Sequence, residues 1–414
     1  MEDSILGVDS DKRNLTFMIL GNTLLVSVNS IWIMFLPFLF LDWIGNEFLV
    51  GLVFTLAALF RAVTVLLGGR AADEIGRRKV ILIGHFILAS GPLILLVAVS
   101  NYTASSYIPL VLAILGYSLA RAGGGLANPA TSMLLVESSP KEKKGLSYML
   151  ISRVVPSIPP ALLIFIGVFL YESDQFGLAL IIGIVGLFGV MGLYAITLRE
   201  TLTKKTTQKA IIDRRLGGLG LAFWLMICAF ALDSLSSSGL SWYVPVFLET
   251  TGKTLTTSVL LYGVMVSSST LVIAFGALIS GWLVDRVGVR TAIVYGWTLL
   301  ALTVFFFPHF ESPLEITLIY SIWAGLDMID FSVPPLVIEK NYPKEKRASM
   351  LGVFSSLTIL TGVLGPALIS FSLLLGVNTP FYVKAILNLC GAFLFWIAFK
   401  SLRTDKSMKQ NYDA

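Results

Sequence analysis

Apolar residues run along this chain in twelve long blocks, and the short breaks between them hold most of its charge. The blocks fall at residues 14–43, 47–69, 79–100, 106–137, 146–171 and 176–198, and again at 218–249, 256–281, 291–308, 313–339, 348–376 and 380–400. Most reach or exceed the ~20 residues that an α-helix needs to cross the hydrocarbon core. A spanning helix also pairs its own backbone N–H and C=O groups, which lipid cannot do. The pattern predicts an all-α membrane protein with twelve transmembrane helices.

The distribution of charge tests that count. Of the 30 Lys and Arg residues, 25 fall in alternate breaks or at the termini, among them Arg70, Arg77, Arg78, Lys79, Lys141, Lys143, Lys144, Arg286 and Arg290. The opposite breaks hold Lys253 alone, and Arg61, Arg121, Arg153 and Lys384 lie inside blocks. Basic loops stay in the cytoplasm, and a wrong span count would scramble the alternation. Both termini are therefore expected there, in a multi-pass protein of the cytoplasmic membrane. The other side is acidic and aromatic, with Asp42, Trp43, Glu47, Tyr102, Tyr107, Tyr171, Glu172, Asp174 and Glu311. The basic stretch 199–217 reads as a linker between two six-helix bundles, 1–198 and 218–400, and suits anionic lipid headgroups. Residues 401–414 form a tail.

Composition narrows the function. Hydrophobic residues make up 56% of the chain and charged ones 13%, more apolar surface than a soluble fold can hide. The net charge of +5 follows topology and implies no nucleic-acid partner. The two cysteines, Cys228 and Cys390, make no zinc or disulfide pattern and read as small buried hydrophobes. His85 and His309 are the only histidines. Neither H-E-x-x-H nor the phosphate-binding G-x-x-x-x-G-K-[ST] occurs, so the reading is neither a metalloenzyme nor an ATP-driven pump, and no metal or cofactor is expected. The opening MEDSILGVDSDKRN is acidic and polar, unlike a secretory signal.

The halves echo each other. Gly69-Arg-Ala-Ala-Asp73-Glu-Ile-Gly76-Arg77-Arg78 and Gly281-Trp-Leu-Val-Asp285-Arg-Val-Gly288-Val-Arg290 both spell G-x-x-x-D-x-x-G-x-R. After the fourth and tenth blocks stand Glu137-Ser-Ser-Pro140-Lys-Glu-Lys-Lys144 and Glu339-Lys-Asn-Tyr-Pro343-Lys-Glu-Lys-Arg347, and Trp32 precedes Pro37 as Trp242 precedes Pro245. Three echoes in one order point to duplication. These residues resemble the major facilitator superfamily, whose loop signature is G-x-x-x-D-[RK]-x-G-R-[RK]-[RK]. Here Glu74 stands where a base is usual, and Val289 replaces the middle Arg. Leu119-Ala-Arg121-Ala-Gly-Gly-Gly125 is similar to the family's R-x-x-Q-G, with Gly124 for Gln, and Arg199-Glu-Thr-Leu202 to its E-[ST] ending. The resemblance implies two pseudo-symmetric bundles with a substrate site near the midplane, and a monomer.

The loop motifs also predict a latch. Gly69 and Gly281 permit close helix approach, and Gly76 and Gly288 tight turns. Asp73 and Asp285 suit a neighbouring helix N-terminus. Arg77 or Arg78 can reach Glu137, and Arg290 can reach Glu339, closing the cytoplasmic side. The competing view is that these are ordinary loop charges obeying topology.

Ionisable groups at membrane depth are costly and mark function. Arg61 and Arg121 in the first half, and Asp233, Asp327 and Asp330 in the second, are the substrate or coupling candidates, Asp327 and Asp330 sharing a helical face. Low dielectric favours the proton-bound carboxyl, so these acids can couple transport to protons; a structural ion pair with Arg121 is the alternative. Arg153 and Lys384, near block ends, read as snorkelling side chains, and His85 as a helix-packing residue. Trp242, Tyr243 and Trp323 are packing residues by default. Prolines at 156, 159, 160, 334 and 335, and Gly362-Val-Leu-Gly365-Pro366, imply bends.

The sequence therefore reads as a secondary transporter of a small organic solute, by proton symport, with an organic anion favoured by Arg61 and Arg121. The alternative is a proton-antiport exporter of drugs or metabolites, favoured by the partial span-four motif but lacking a G-x-x-x-G-P in span five. A non-transporting sensor or scaffold on the same frame is the reading from another class.

Overall fold

The computed structural model describes residues 2–103, 106–138, 154–200, 221–329, 333–334 and 344–404, and every regular element among them is helical. In chain order these are α1 (Glu2–Trp32), α2 (Leu36–Ile44), α3 (Glu47–Ile75), α4 (Arg77–Ser100), α5 (Ile108–Ser138), α6 (Val155–Glu172) and α7 (Phe176–Thr197). They continue as α8 (Leu221–Thr250), α9 (Ser258–Val287), α10 (Val289–Phe306), α11 (Pro313–Leu326), α12 (Lys344–Val363), α13 (Gly365–Leu373) and α14 (Thr379–Thr404). A 3₁₀ turn, Ile33–Phe35, joins α1 to α2 as one span, and Leu364 alone parts α12 from α13. Among the described residues eleven stretches are long and apolar enough to cross a membrane, and α11 is a shorter apolar helix in the place of the tenth expected span. Leu162, Phe169, Val185 and Phe393 stand exposed, as side chains solvated by lipid do.

Two expectations change. The tenth block predicts one helix over 313–339, but α11 ends at Leu326 and residues 327–329 form a turn. The Asp327 N–H bonds to the Trp323 carbonyl at 2.9 Å and the Met328 N–H to Gly325 at 3.3 Å. Gly325 weakens the helix there, and an aspartate competes for backbone partners. Asp330 lies outside the described residues, so its position relative to Asp327 is not described. The fifth span is described only from α6 onward, and Arg153 also lies outside. Cys228 and Cys390 are exposed rather than buried; in a membrane protein an apolar block is apolar on its outward face too.

The chain divides into two units, Met1–Thr206 with Pro245–Ala274, and Thr207–Val244 with Phe275–Ala414. In the first, α4 and α5 pack along small residues. A side chain added at Gly84 would meet Ala127 N at 2.8 Å and the Gly123 carbonyl at 2.9 Å, and one at Gly91 would meet the Gly116 carbonyl at 2.6 Å. Such seams let backbones close up where lipid supplies no hydrophobic drive between helices. His85 of α4 lies buried, its Nδ1 2.8 Å from the Ile81 carbonyl and its ring edge-on to Tyr194 of α7. That is the packing role the sequence suggests.

In the second unit, Phe230 of α8 meets Trp297, Phe354 and Phe395 with centroids 5.1, 5.1 and 6.0 Å away. Trp242 and Tyr243 are buried, and Tyr243 donates to the Val377 carbonyl at 2.7 Å. Both are packing residues.

Candidate functional site

Two helices of the second unit each present polar residues one turn apart. On α8 these are Asp233 and Ser237; on α14 they are Lys384 and Asn388. Spacing of i and i+4 stacks each pair on one helix face, so the pairs meet side by side. Lys384 Nζ donates to Ser237 Oγ at 2.5 Å and lies 3.6 Å from Asp233 Oδ1. Ser237 also donates to Asp233 Oδ1 at 3.3 Å. With its nitrogen toward Asp233, the Asn388 amide donates to Asp233 Oδ1 and to the Lys384 carbonyl, each at 3.3 Å.

A second carboxylate reaches the same ammonium. Asp327, where α11 ends, places Oδ1 3.9 Å from Lys384 Nζ. The Trp323 ring, one turn back on α11, lies 5.9 Å from that nitrogen, a cation–π distance. The Lys384 side chain is 0% exposed, that of Asp233 12% and that of Asp327 34%.

Burying an ammonium at membrane depth is tolerable only with paired, hydrogen-bonded charge around it. Here one cation serves two anions. With all three ionised the trio carries one net negative charge, and one proton or one cationic group balances it. Both acids therefore have a cation in their own unit.

The first unit holds Arg61 on α3 and Arg121 on α5. Arg61 is exposed and Arg121 half-buried. Tyr117, buried one turn from Arg121, lies within electrostatic reach of both and packs on Phe54 with centroids 5.1 Å apart. Gly125 brings the helices together: a side chain there would meet the Arg61 carbonyl at 2.6 Å. The glycines after Arg121 thus have a packing reason of their own.

The repeated loops take the expected turns at Gly76 (φ +99°) and Gly288 (φ +82°), which precede α4 and α10. Close approach falls elsewhere than expected. A side chain at Gly69 would meet open space, whereas Gly68 lies against the Leu126 backbone, because helix rotation turns the neighbouring residue to α5. Glu200, just past α7, caps α4. Its carboxylate accepts the backbone N–H of Arg77 and of Arg78, each at 3.1 Å, as an anion at a helix N-terminus should. Arg78 reaches back to the Ala195 carbonyl at 2.5 Å. Arg290 stacks on Trp396 at 5.1 Å. The side chains of Asp73, Glu137 and Asp285, the surroundings of Gly281, and all of Glu339 lie outside the described residues, so the latch pairs through them are not described.

Lys384 is the residue the sequence reading passed over. Its place near the start of the last block suggested snorkelling, but its amine is fully enclosed. Counting charges by half would have found it: leaving out the outermost three residues of each block, Lys384 is the one base inside the second half, against Asp233, Asp327 and Asp330.

The model of the Major Facilitator Superfamily matches residues 17–326 and 225–413. No curated protein matches the sequence. Among solved structures, a D-xylose–proton symporter superposes with a TM-score of 0.69 at 14% identity, over 94% of this chain and 97% of its own. A point mutant of the nucleoside transporter NupG gives 0.73 at 16% identity, over 94% and 100%. Unaltered NupG gives 0.66 at 17%, over 94% and 99%. At such identities the likeness is one of fold.

Proposed function

Because the chain belongs to the major facilitator superfamily, and is a multi-pass membrane transporter rather than an enzyme, we propose that it carries a small organic solute across the cytoplasmic membrane by proton symport. The observation that carries this reading is the enclosed Lys384 shared by two carboxylates. A trio one charge short of neutrality in low dielectric gains from taking up a proton, and that gain is what coupling requires. The shared fold with a protein titled a D-xylose–proton symporter lends support.

The substrate is an organic anion in this reading. Arg61 and Arg121, on α3 and α5, supply the positive charge that would hold it. Both termini and the basic loops face the cytoplasm, the bundles 1–198 and 218–400 are the moving parts of alternating access, and the chain acts as a monomer among lipids.

The test is flux in proteoliposomes with an imposed pH gradient, using labelled carboxylates, phosphate esters and sulfonates. Accumulation with acid outside, abolished by a protonophore, is the expected result. Accumulation with acid inside would make the protein an antiport exporter. Specific binding without flux would make it a sensor.

A further inference from the structure

The two carboxylates that share Lys384 do not sit alike. Asp233 lies mid-helix on α8, ringed by donors: Lys384 at 3.6 Å, Ser237 at 3.3 Å and the Asn388 amide at 3.3 Å. Donors aimed at a carboxylate stabilise its ionised form. Asn388 is itself fully enclosed, so this ring of donors is built rather than chance.

Asp327 has a different setting. It is the C-cap of α11, where the helix carbonyls concentrate partial negative charge and a second anion is disfavoured. Its side chain is almost three times as exposed as that of Asp233, at 34% against 12%, so it is the more accessible of the two. Charged and titratable groups around it include Lys384 of α14, Asp233 of α8 and Tyr320 of its own helix. The helix gives way to a turn at 327–329 at this point.

We infer that the two acids divide the work: Asp327 exchanges the proton, and Asp233 remains the ionised partner that holds Lys384 in place. This inference rests on the proposed proton coupling and deepens it. On acidification a proton from water binds an Asp327 oxygen and the trio becomes neutral; Lys384 then belongs to Asp233 alone. On release the proton returns to water, and the ammonium is shared again.

Infrared difference spectra of the purified full-length protein between two pH values read the carbonyl stretch of a protonated carboxyl directly, with the proton as the only probe. Asp327→Asn should remove a band that Asp233→Asn keeps. Should Asp233→Asn fail to fold, Asp327→Glu should move the band and Asp233→Glu leave it in place. A band that is lost or moved only by the Asp233 variants would overturn the assignment, as would no band sensitive to either residue. Flux under a pH gradient is scored separately. An Asp327 band without proton-driven flux counts against coupling alone; proton-driven flux with an Asp233 band counts against the assignment alone.

Discussion

The hydroxyl of Ser238 donates to the carbonyl of Gly362 at 2.6 Å, and that carbonyl is the one Pro366 leaves without its helical donor four residues on. The chain breaks there, between α12 and α13. One turn earlier, Ser234 donates to the Thr358 carbonyl at 2.8 Å. Between these two serines stands Ser237, which receives Lys384. A side chain added at Gly365 would lie 3.0 Å from Gly239 N, so missing side chains are what let Ser238 reach. One run of serines on α8 thus serves both the break in the eleventh span and the charged trio, and a shift of α8 would be felt at both.

Ser238→Ala removes the donor at the break. A buried carbonyl left without its partner costs about 1–3 kcal/mol, and helix-to-helix bonds in membranes average nearer ~0.6 kcal/mol. The expected loss is therefore about 1 kcal/mol, read as a lower melting temperature of the purified protein in detergent. Ser238→Thr, which keeps the hydroxyl, should melt close to the parent.

Lys384→Met should be far more damaging. It leaves two carboxylates facing each other without their cation, and breaking a buried pair in this way costs about 3–5 kcal/mol. Low yield and early melting are expected. Adding Asp233→Asn to Lys384→Met removes one orphaned charge and should recover much of the stability but none of the proton-driven flux. Equal stability of the single and double variants would show that Lys384 is not the counter-ion of Asp233.

Much of this was readable in the sequence, for identifiable reasons. Lipid imposes apolar length on each span, so the blocks mark the helices closely. The positions of Gly76 and Gly288 were legible because a positive φ all but demands glycine at a repeated turn. What periodicity does not carry is rotation. It did not say that Gly68 rather than Gly69 faces α5, nor that Lys384 points inward rather than snorkelling, since each depends on which side of a helix meets a neighbour. The stop of α11 at Leu326 was hidden because its flanks stay apolar beyond the break.

Glu200 and Gly76 should act as one cap. Gly76 holds a backbone conformation (φ +99°, ψ 148°) that a side chain tolerates only at a cost of about 1–3 kcal/mol, and a side chain there would also press Glu200 Oε2 at 2.6 Å. Glu200→Ala removes the acceptor for two N–H groups and should cost about 1 kcal/mol. Gly76→Ala should cost more than Glu200→Ala in thermal unfolding. Because the alanine already displaces the carboxylate, the double variant should fall short of the sum, as for residues in direct contact. Strict additivity would mean that the cap does not join them.

The orientation can be tested without any substrate. Basic loops are held on the cytoplasmic side, and the turn after α3 is basic while the loop before α9 is not. Glu74 and Thr256 are both exposed, so a cysteine at either is open to reagent. With Cys228 and Cys390 replaced by serine, a membrane-impermeant maleimide applied to intact cells should label Thr256→Cys and spare Glu74→Cys. Inverted vesicles should give the opposite pattern. Both residues flank spans of the same parity, Glu74 at the end of α3 and Thr256 before the start of α9, so a chain with one span too many or too few between them would place both on one side. Labelling of the two from the same face would therefore contradict the span count, and labelling of Glu74→Cys alone in intact cells would reverse the orientation while leaving the count intact.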